Sequence, residues 1–252
     1  MDNTTYIALS RQQALWNQLE VVANNLANVN TTAFKGTDTL FTQYLVKVDQ
    51  NDRTFQDKVA FTHDFGLVRN LSQGTFTYTG NTYDLSIQGD GYFVTQGPQG
   101  EAPRYTRAGN FTLNQDGQLV TQEGRTVMSS NGAPIVVPTT ASNIVIHGDG
   151  SIIDEDTNTT IDRIQVVRFD KEQDLKLING TSFVTVEGQQ AITVDSPKVA
   201  QGVQENSNVN GVTEMTRLIA LNRSYNDVSR LVEEEHERKR KASDLFSRQV
   251  TA

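Results

Sequence analysis

Apolar positions along this chain follow a helical period at both ends and an alternating one between them. Near the start, Leu9, Trp16, Leu19, Ala23 and Leu26 are separated by seven, three, four and three residues, with Gln12 the one polar member of the row. A second row, Leu15, Val22 and Val29, repeats every seven residues. This spacing predicts a helix over 5–28 with Asn3 as its cap candidate. The two rows make a stripe too wide for one seam, so the helix is expected to meet more than one neighbour. The run Asn28-Val29-Asn30-Thr31-Thr32 should stop it, because short polar side chains compete for backbone hydrogen bonds. Phe34 is then expected to anchor the exit.

The far end predicts a longer helix over 211–248, with Asn210 as N-cap and Glu214 favouring the positive helix start. Met215, Leu218, Leu221, Tyr225, Val228 and Val232 alternate steps of three and four, the spacing of a helix-on-helix seam. The seam lapses over Glu233-Glu234-Glu235 and the charged run to Lys241, then returns at Ala242, Leu245 and Phe246.

Between the helices, short alternating segments are divided by turn dipeptides. Asp90-Gly91, Asp116-Gly117 and Asp149-Gly150 are each flanked by strand-like triplets, and Asn131-Gly132 and Asn179-Gly180 add further turns. Ile161 to Phe169 is the longest strand candidate. The expected architecture is α+β. A mainly antiparallel β domain occupies 76–186, and the helices of 1–34 and 209–252 pair as a coiled coil. The stretches 35–75 and 187–208 serve as an extended connector and a return connector.

Composition narrows the function. The chain has 252 residues, a formal net charge of -8 and no cysteine. Acidic charge disfavours nucleic acid and anionic lipid as partners, and the missing thiols remove disulfides and cysteine chemistry. The start Met1-Asp2-Asn3 carries acid where a cleaved signal needs positive charge, so any export is expected to use another route. No apolar run approaches the ~20 residues of a membrane span.

Candidate chemistry is thin. His63, His147 and His236 are far apart in sequence and belong to no ligand motif. Gly89-Asp90-Gly91 lacks the third glycine and following helix of a dinucleotide site, and reads as a turn. Asp154-Glu155-Asp156 lacks the ligand spacing of a calcium loop. Arg238 to Lys241 follows Glu233 to Glu237 at i,i+4 spacing, which accounts for both charge blocks. No catalytic, cofactor or metal residue is assigned. The apolar rows need partner surfaces, and head-to-tail stacking that does not close into a ring gives a helical tube. Ordering of both chain ends upon such stacking is the expectation.

Three separated segments carry a resemblance. They are Val22 to Lys35 (VANNLANVNTTAFK), Asp84 to Val94 with Tyr105 to Phe111 and Asp116 to Thr121, and Glu205 to Asn210 with Met215, Ile219, Arg223 and Tyr225. Together they resemble the bacterial flagellar axial proteins, the rod and hook subunits. Ala33 stands where many members have Gly, Gly211 where Pro is common, and Phe76-Thr77-Tyr78 lacks an expected Pro. The opening Tyr6 to Gln12, the length, and Leu71 to Gly74 leading to Thr79-Gly80-Asn81 are most similar to the proximal-rod members, with distal-rod members next.

The resemblance implies a structural subunit of the basal-body rod and no enzyme. It implies export without a cleaved signal by the flagellar type III apparatus, a periplasmic rod, and partners among proximal and distal rod proteins and copies of itself. The assembly interface is expected at Leu9, Trp16, Leu19, Ala23, Leu26, Phe34, Met215, Leu218, Leu221, Tyr225, Val228 and Val232. A distal-rod or hook-type subunit is the near alternative. The alternatives of another class are a secreted β-rich hydrolase using carboxylates such as Asp154 and Asp170, and a polysaccharide-binding module with an exposed aromatic groove.

Overall fold

The computed structural model describes residues 2–47, 58–98, 101–139, 141 and 143–250, with the backbone alone described at 2–4, 41–47, 58–65, 242–243 and 245–250. Two compact units emerge, and the chain is interleaved between them: one takes Met1–Ala27, Thr37–Val68 and Asn210–Ala252, the other Asn28–Gly36 and Arg69–Val209.

The first unit is built on helices α1 (Asp2–Ala27) and α2 (Gly211–Val250). Asn3 lies inside α1 rather than capping it, because the helix starts earlier, at an acidic residue that suits its positive end. Asn210 does cap α2: its Oδ1 accepts the backbone N–H groups of Val212 and Thr213, both at 3.1 Å. The same unit holds strands β1 (Thr37–Lys47) and β2 (Lys58–Arg69), which pair in a two-stranded sheet. The sequence predicts a connector over this span, because no alternation marks it. Among the described side chains Leu40 and Leu67 stand exposed, so the apolar residues there give no inward alternation to read.

The second unit is antiparallel throughout its described ladders. Its largest sheet has six strands, in the order 176–179, 182–184, β6 (Arg104–Thr106), β5 (Tyr92–Thr95), 166–168 and 192–193. Alternation along β5 splits the core into two layers. Phe93 packs with Leu85, Ile87, Phe111, Leu119, Ile135 and Ile164 on one face, while Tyr92 and Val94 pack with Tyr105, Phe169, Leu175 and Phe183 on the other.

Turn signals at Asp116-Gly117, Asp149-Gly150 and Asn179-Gly180 each join adjacent paired strands. Asp90-Gly91 does not. Strand β4 (Leu85–Ile87) pairs with Val199–Gln201 instead of β5, and β3 (Phe76–Tyr78) pairs with Val203–Glu205. The strand expected over 161–169 is broken at Ile164. Thr159–Arg163 belongs to a three-stranded sheet and Val166–Arg168 to the six-stranded one. Ile164 and Val166 point into one buried layer, which a continuous strand through both sheets would also allow, but the ladder partners change between them.

Candidate assembly surface and buried ionic junction

Three charged side chains meet inside the β unit. Lys35 Nζ lies 2.6 Å from Glu205 Oε1, and Arg107 Nε lies 3.2 Å from Glu205 Oε2, with every side chain at most 4% exposed. Backbone groups complete the set. Ser72 O accepts from Lys35, Gly74 N donates to Glu205 Oε1 at 3.1 Å, and Gly89 O accepts from Arg107 at 2.7 Å. Burial is the main influence pulling the Lys35 ammonium below its ordinary pKa; the hydrogen bond and charge of Glu205 oppose it. The junction thus holds two cations on one carboxylate, with backbone groups of Ser72, Gly74, Ile87 and Gly89 as further partners.

Neighbouring residues join the segment after α1 to the segment before α2. Ala33 N donates to Glu205 O, Asn208 N to Phe34 O, and Gly36 N to Asn208 Oδ1. Asn208 Nδ2 reaches Asn70 O and Ser72 O. Gly74 passes so close to Asn206 that a Cβ there would fall 1.9 Å from the Asn206 carbonyl oxygen. Ala33 sits at φ 56°, the left-handed region that favours glycine. That backbone explains why glycine suits the position.

The helices of the other unit run antiparallel. Thr5 accepts from Lys239, Gln12 donates to Ser229, and the Trp16 and Tyr225 rings lie 6.0 Å apart. Numbers thus rise along one helix as they fall along the other. At the end of α1, Asn25 clamps the start of β1: its Oδ1 accepts Thr37 N and its Nδ2 donates to Thr37 O.

The sequence rows divide on this geometry. Toward α2, α1 presents Ala8, Gln12, Leu15, Leu19, Val22 and Leu26, all buried or half-buried and spaced by four and three. The second row, Leu15 and Val22, is therefore the inward one, and Val22 is 1% exposed. Leu9, Trp16 and Ala23, expected on the seam, are exposed. Both rows satisfy heptad spacing, and one residue of offset turns about 100° round the helix. On α2, Leu218, Leu221, Tyr225 and Val232 are half-buried, Val228 is buried and Met215 is exposed. Phe34 is buried, in the β unit. The side chains of Ala242, Leu245 and Phe246 lie outside the described ones.

Sequence reasoning missed Asn25, Lys35, Arg107, Glu205 and Asn208. The available signal was that all five fall within the three resembling segments, where a buried charge or amide needs a partner from another segment. Candidate chemical residues are placed otherwise. His147 and His236 are exposed, and the His63 side chain lies outside the described ones. Asp154 is buried and accepts from Asp156 N and Thr157 Oγ1, which makes it a turn-forming carboxylate. Asp170 is exposed beside Arg168.

Three family models match the chain. "Flagella basal body rod protein" covers residues 6–35, "Flagellar hook protein FlgE/F/G D1 domain" 86–153, and "Flagellar basal body rod FlgEFG protein C-terminal" 200–245. Lys35 and Glu205 fall in the two outer matches. The flagellar basal-body rod protein FlgF of Caulobacter vibrioides is 36% identical over 98% of this chain and 99% of its own length. FlgF of Mesorhizobium japonicum is 33% identical over 92% of each chain. The rod protein FlgG of Agrobacterium fabrum is 33% identical over 90% of this chain and 92% of its own.

Proposed function

The chain belongs to the flagellar basal-body rod protein family, and from that premise we propose that it works solely through subunit contacts, in the proximal, FlgF-like part of the rod. It is a structural subunit of the flagellum and acts in motility. The observation that carries the reading is the exposed apolar row Tyr6, Leu9, Trp16 and Ala23 on a helix whose other heptad row is already satisfied by α2. A row of that kind gains by association.

In this reading α1 and α2 form coiled-coil seams within and between copies, and residues 76–186 form the centre of the β unit. The seam residues are Leu9, Trp16, Leu19, Ala23, Leu26, Met215, Leu218, Leu221, Tyr225, Val228 and Val232, with Phe34 fixing the chain as it leaves α1. Copies of the chain and neighbouring proximal and distal rod proteins are the partners. The protein passes through the flagellar type III export apparatus without a cleaved signal, and the rod stands in the periplasm and transmits torque.

Leu26→Asp and Leu221→Asp each place a charge on a half-buried seam position. Both should abolish swimming and rod assembly while leaving the β unit folded. Normal swimming by either variant would overturn the proposal.

A further inference from the structure

Asparagine is followed by glycine at Asn131-Gly132, Asn179-Gly180 and Asn210-Gly211. Such a pair can react with itself. The backbone nitrogen after an asparagine can attack that residue's side-chain carbonyl carbon, and glycine leaves the approach clear of a Cβ. All three asparagines are exposed, so access does not separate them. Hydrogen bonding does. Gly132 N donates to Ser129 O at 2.9 Å, Asn131 N donates to Ser129 Oγ, and the fully buried Ser129 holds that turn in place. At Asn210 the side-chain oxygen accepts the N–H groups of Val212 and Thr213, which fixes the amide against the first turn of α2.

Asn179 has neither restraint. Among the described residues no group accepts from Gly180 N, and none bonds the Asn179 side chain. A Cβ built on Gly180 would meet nothing within 4 Å, so the turn stands in open space. Gly180 and Thr181 form the two-residue turn between Lys176–Asn179 and Ser182–Val184, with Gly180 at φ 45°. For nitrogen and carbonyl carbon to meet, Asn179 must rotate out of its ladder position. Its pairing with Ser182 is the last rung of the hairpin, and the register shifts between Leu177 and Asn179 just before it. The strand is also the outer one of the six-stranded sheet. A rung so placed opens at low cost.

We propose that Asn179 is a site of self-modification in the folded chain. Gly180 N attacks Asn179 Cγ, the new C–N bond closes a succinimide, and the side-chain nitrogen leaves as ammonia with the proton that Gly180 N gives up. Water then opens the ring. Attack at the side-chain carbonyl gives aspartate; attack at the main-chain carbonyl gives isoaspartate, which threads the chain through the side-chain methylene and lengthens the turn by one backbone atom. Either product carries a new carboxylate. The turn lines a polar cavity of about 440 Å³ together with Thr31, Asn110 and Glu123, so the charge arrives where one acid already stands. The proposal is independent of how copies associate.

The test incubates the full chain in mildly alkaline buffer, folded and in concentrated urea, and follows the three peptides by mass spectrometry. Conversion adds about 1 Da, and electron-transfer fragmentation tells isoaspartate from aspartate. In the folded chain the Asn179 peptide should convert about tenfold faster than the Asn131 and Asn210 peptides, or more. In urea the three rates should converge, because the reacting pair is the same at each. Equal rates in the folded chain, or no conversion at Asn179 there, would overturn the proposal. A preference for Asn179 that persists unchanged in urea would do so too, since sequence neighbours rather than the fold would then set it. In the isoaspartyl product, amide exchange at Phe183, which pairs with Leu177, should quicken; exchange equal to the parent's would count against the hairpin as the place of reaction.

Discussion

Replacing Glu205 by Gln keeps the shape of the side chain and removes its charge from the junction. Lys35 and Arg107 stay buried, at 2% and 4% side-chain exposure, with no counter-ion. One amide oxygen still accepts from Lys35 or Gly74, but the amide nitrogen that replaces the other oxygen meets the Arg107 Nε–H donor to donor. Removing one partner of a buried ion pair costs about 3–5 kcal/mol, and here two cations depend on the one acid. The loss should reach the upper part of that range, a large fraction of the 5–15 kcal/mol by which domains are typically stable. Lys35→Met should cost less, because Glu205 keeps Arg107 and the Gly74 N–H.

The single tryptophan, Trp16, lies in the helical unit, so fluorescence reports the wrong part of the molecule. Urea unfolding followed by near-ultraviolet circular dichroism of the buried Tyr92 and Tyr105 reads the β unit instead. Amide hydrogen exchange at Ala33 and Gly74, which donate to Glu205, reads the junction itself. A cost below about 1 kcal/mol for Glu205→Gln, or a larger cost for Lys35→Met than for Glu205→Gln, would refute this account of the junction.

Two further outcomes follow from the same unit. Gly74→Ala should destabilise it by at least the roughly 1–3 kcal/mol of an overpacked site, since its Cβ meets a backbone carbonyl that cannot swing away; an unchanged urea midpoint would contradict the close approach. Burial raises the phenol pKa of Tyr92, Tyr83 and Tyr105 above the ordinary value of 10.0. Their contribution is complete below that value and is lost as pH climbs through the folded range, because the unfolded chain ionises first. Lys35 acts in the opposite sense, since its lowered pKa makes the unfolded chain bind more protons up to 10.5. Tyr92→Phe removes one of these phenols, so the urea midpoint of that variant should fall less than the parent's as pH passes from about 10 to 11; equal falls would count against the burial of this phenol.

Periodicity disclosed the two helices because each carries its apolar row over many turns, and Asn210 announced its cap. It did not disclose which row of α1 faces α2. Leu15 with Val22 and Leu9 with Trp16 obey the same spacing, and only the partner's position separates them. Local turns were legible wherever glycine joins adjacent strands, as at Asp149-Gly150. Pairing across more than a hundred residues was not. Nothing in Leu85-Ser86-Ile87 names Val199–Gln201 as its neighbour, and nothing in Lys35 alone names Glu205. In strands β1 and β2 the exposed Leu40 and Leu67 give no inward apolar alternation to read.

The ionic junction also sets an order in time. Lys35 and Arg107 are made long before Glu205, and the strands that flank Glu205 are the ones that complete the ladders begun at β3 and β4. Until the chain has grown past Asn208, the two cations have no acid to share and β3 and β4 have no partners. A chain emerging from its N-terminus therefore leaves β3, β4 and the ionic junction open through its first two hundred residues, and that part of the β unit closes late.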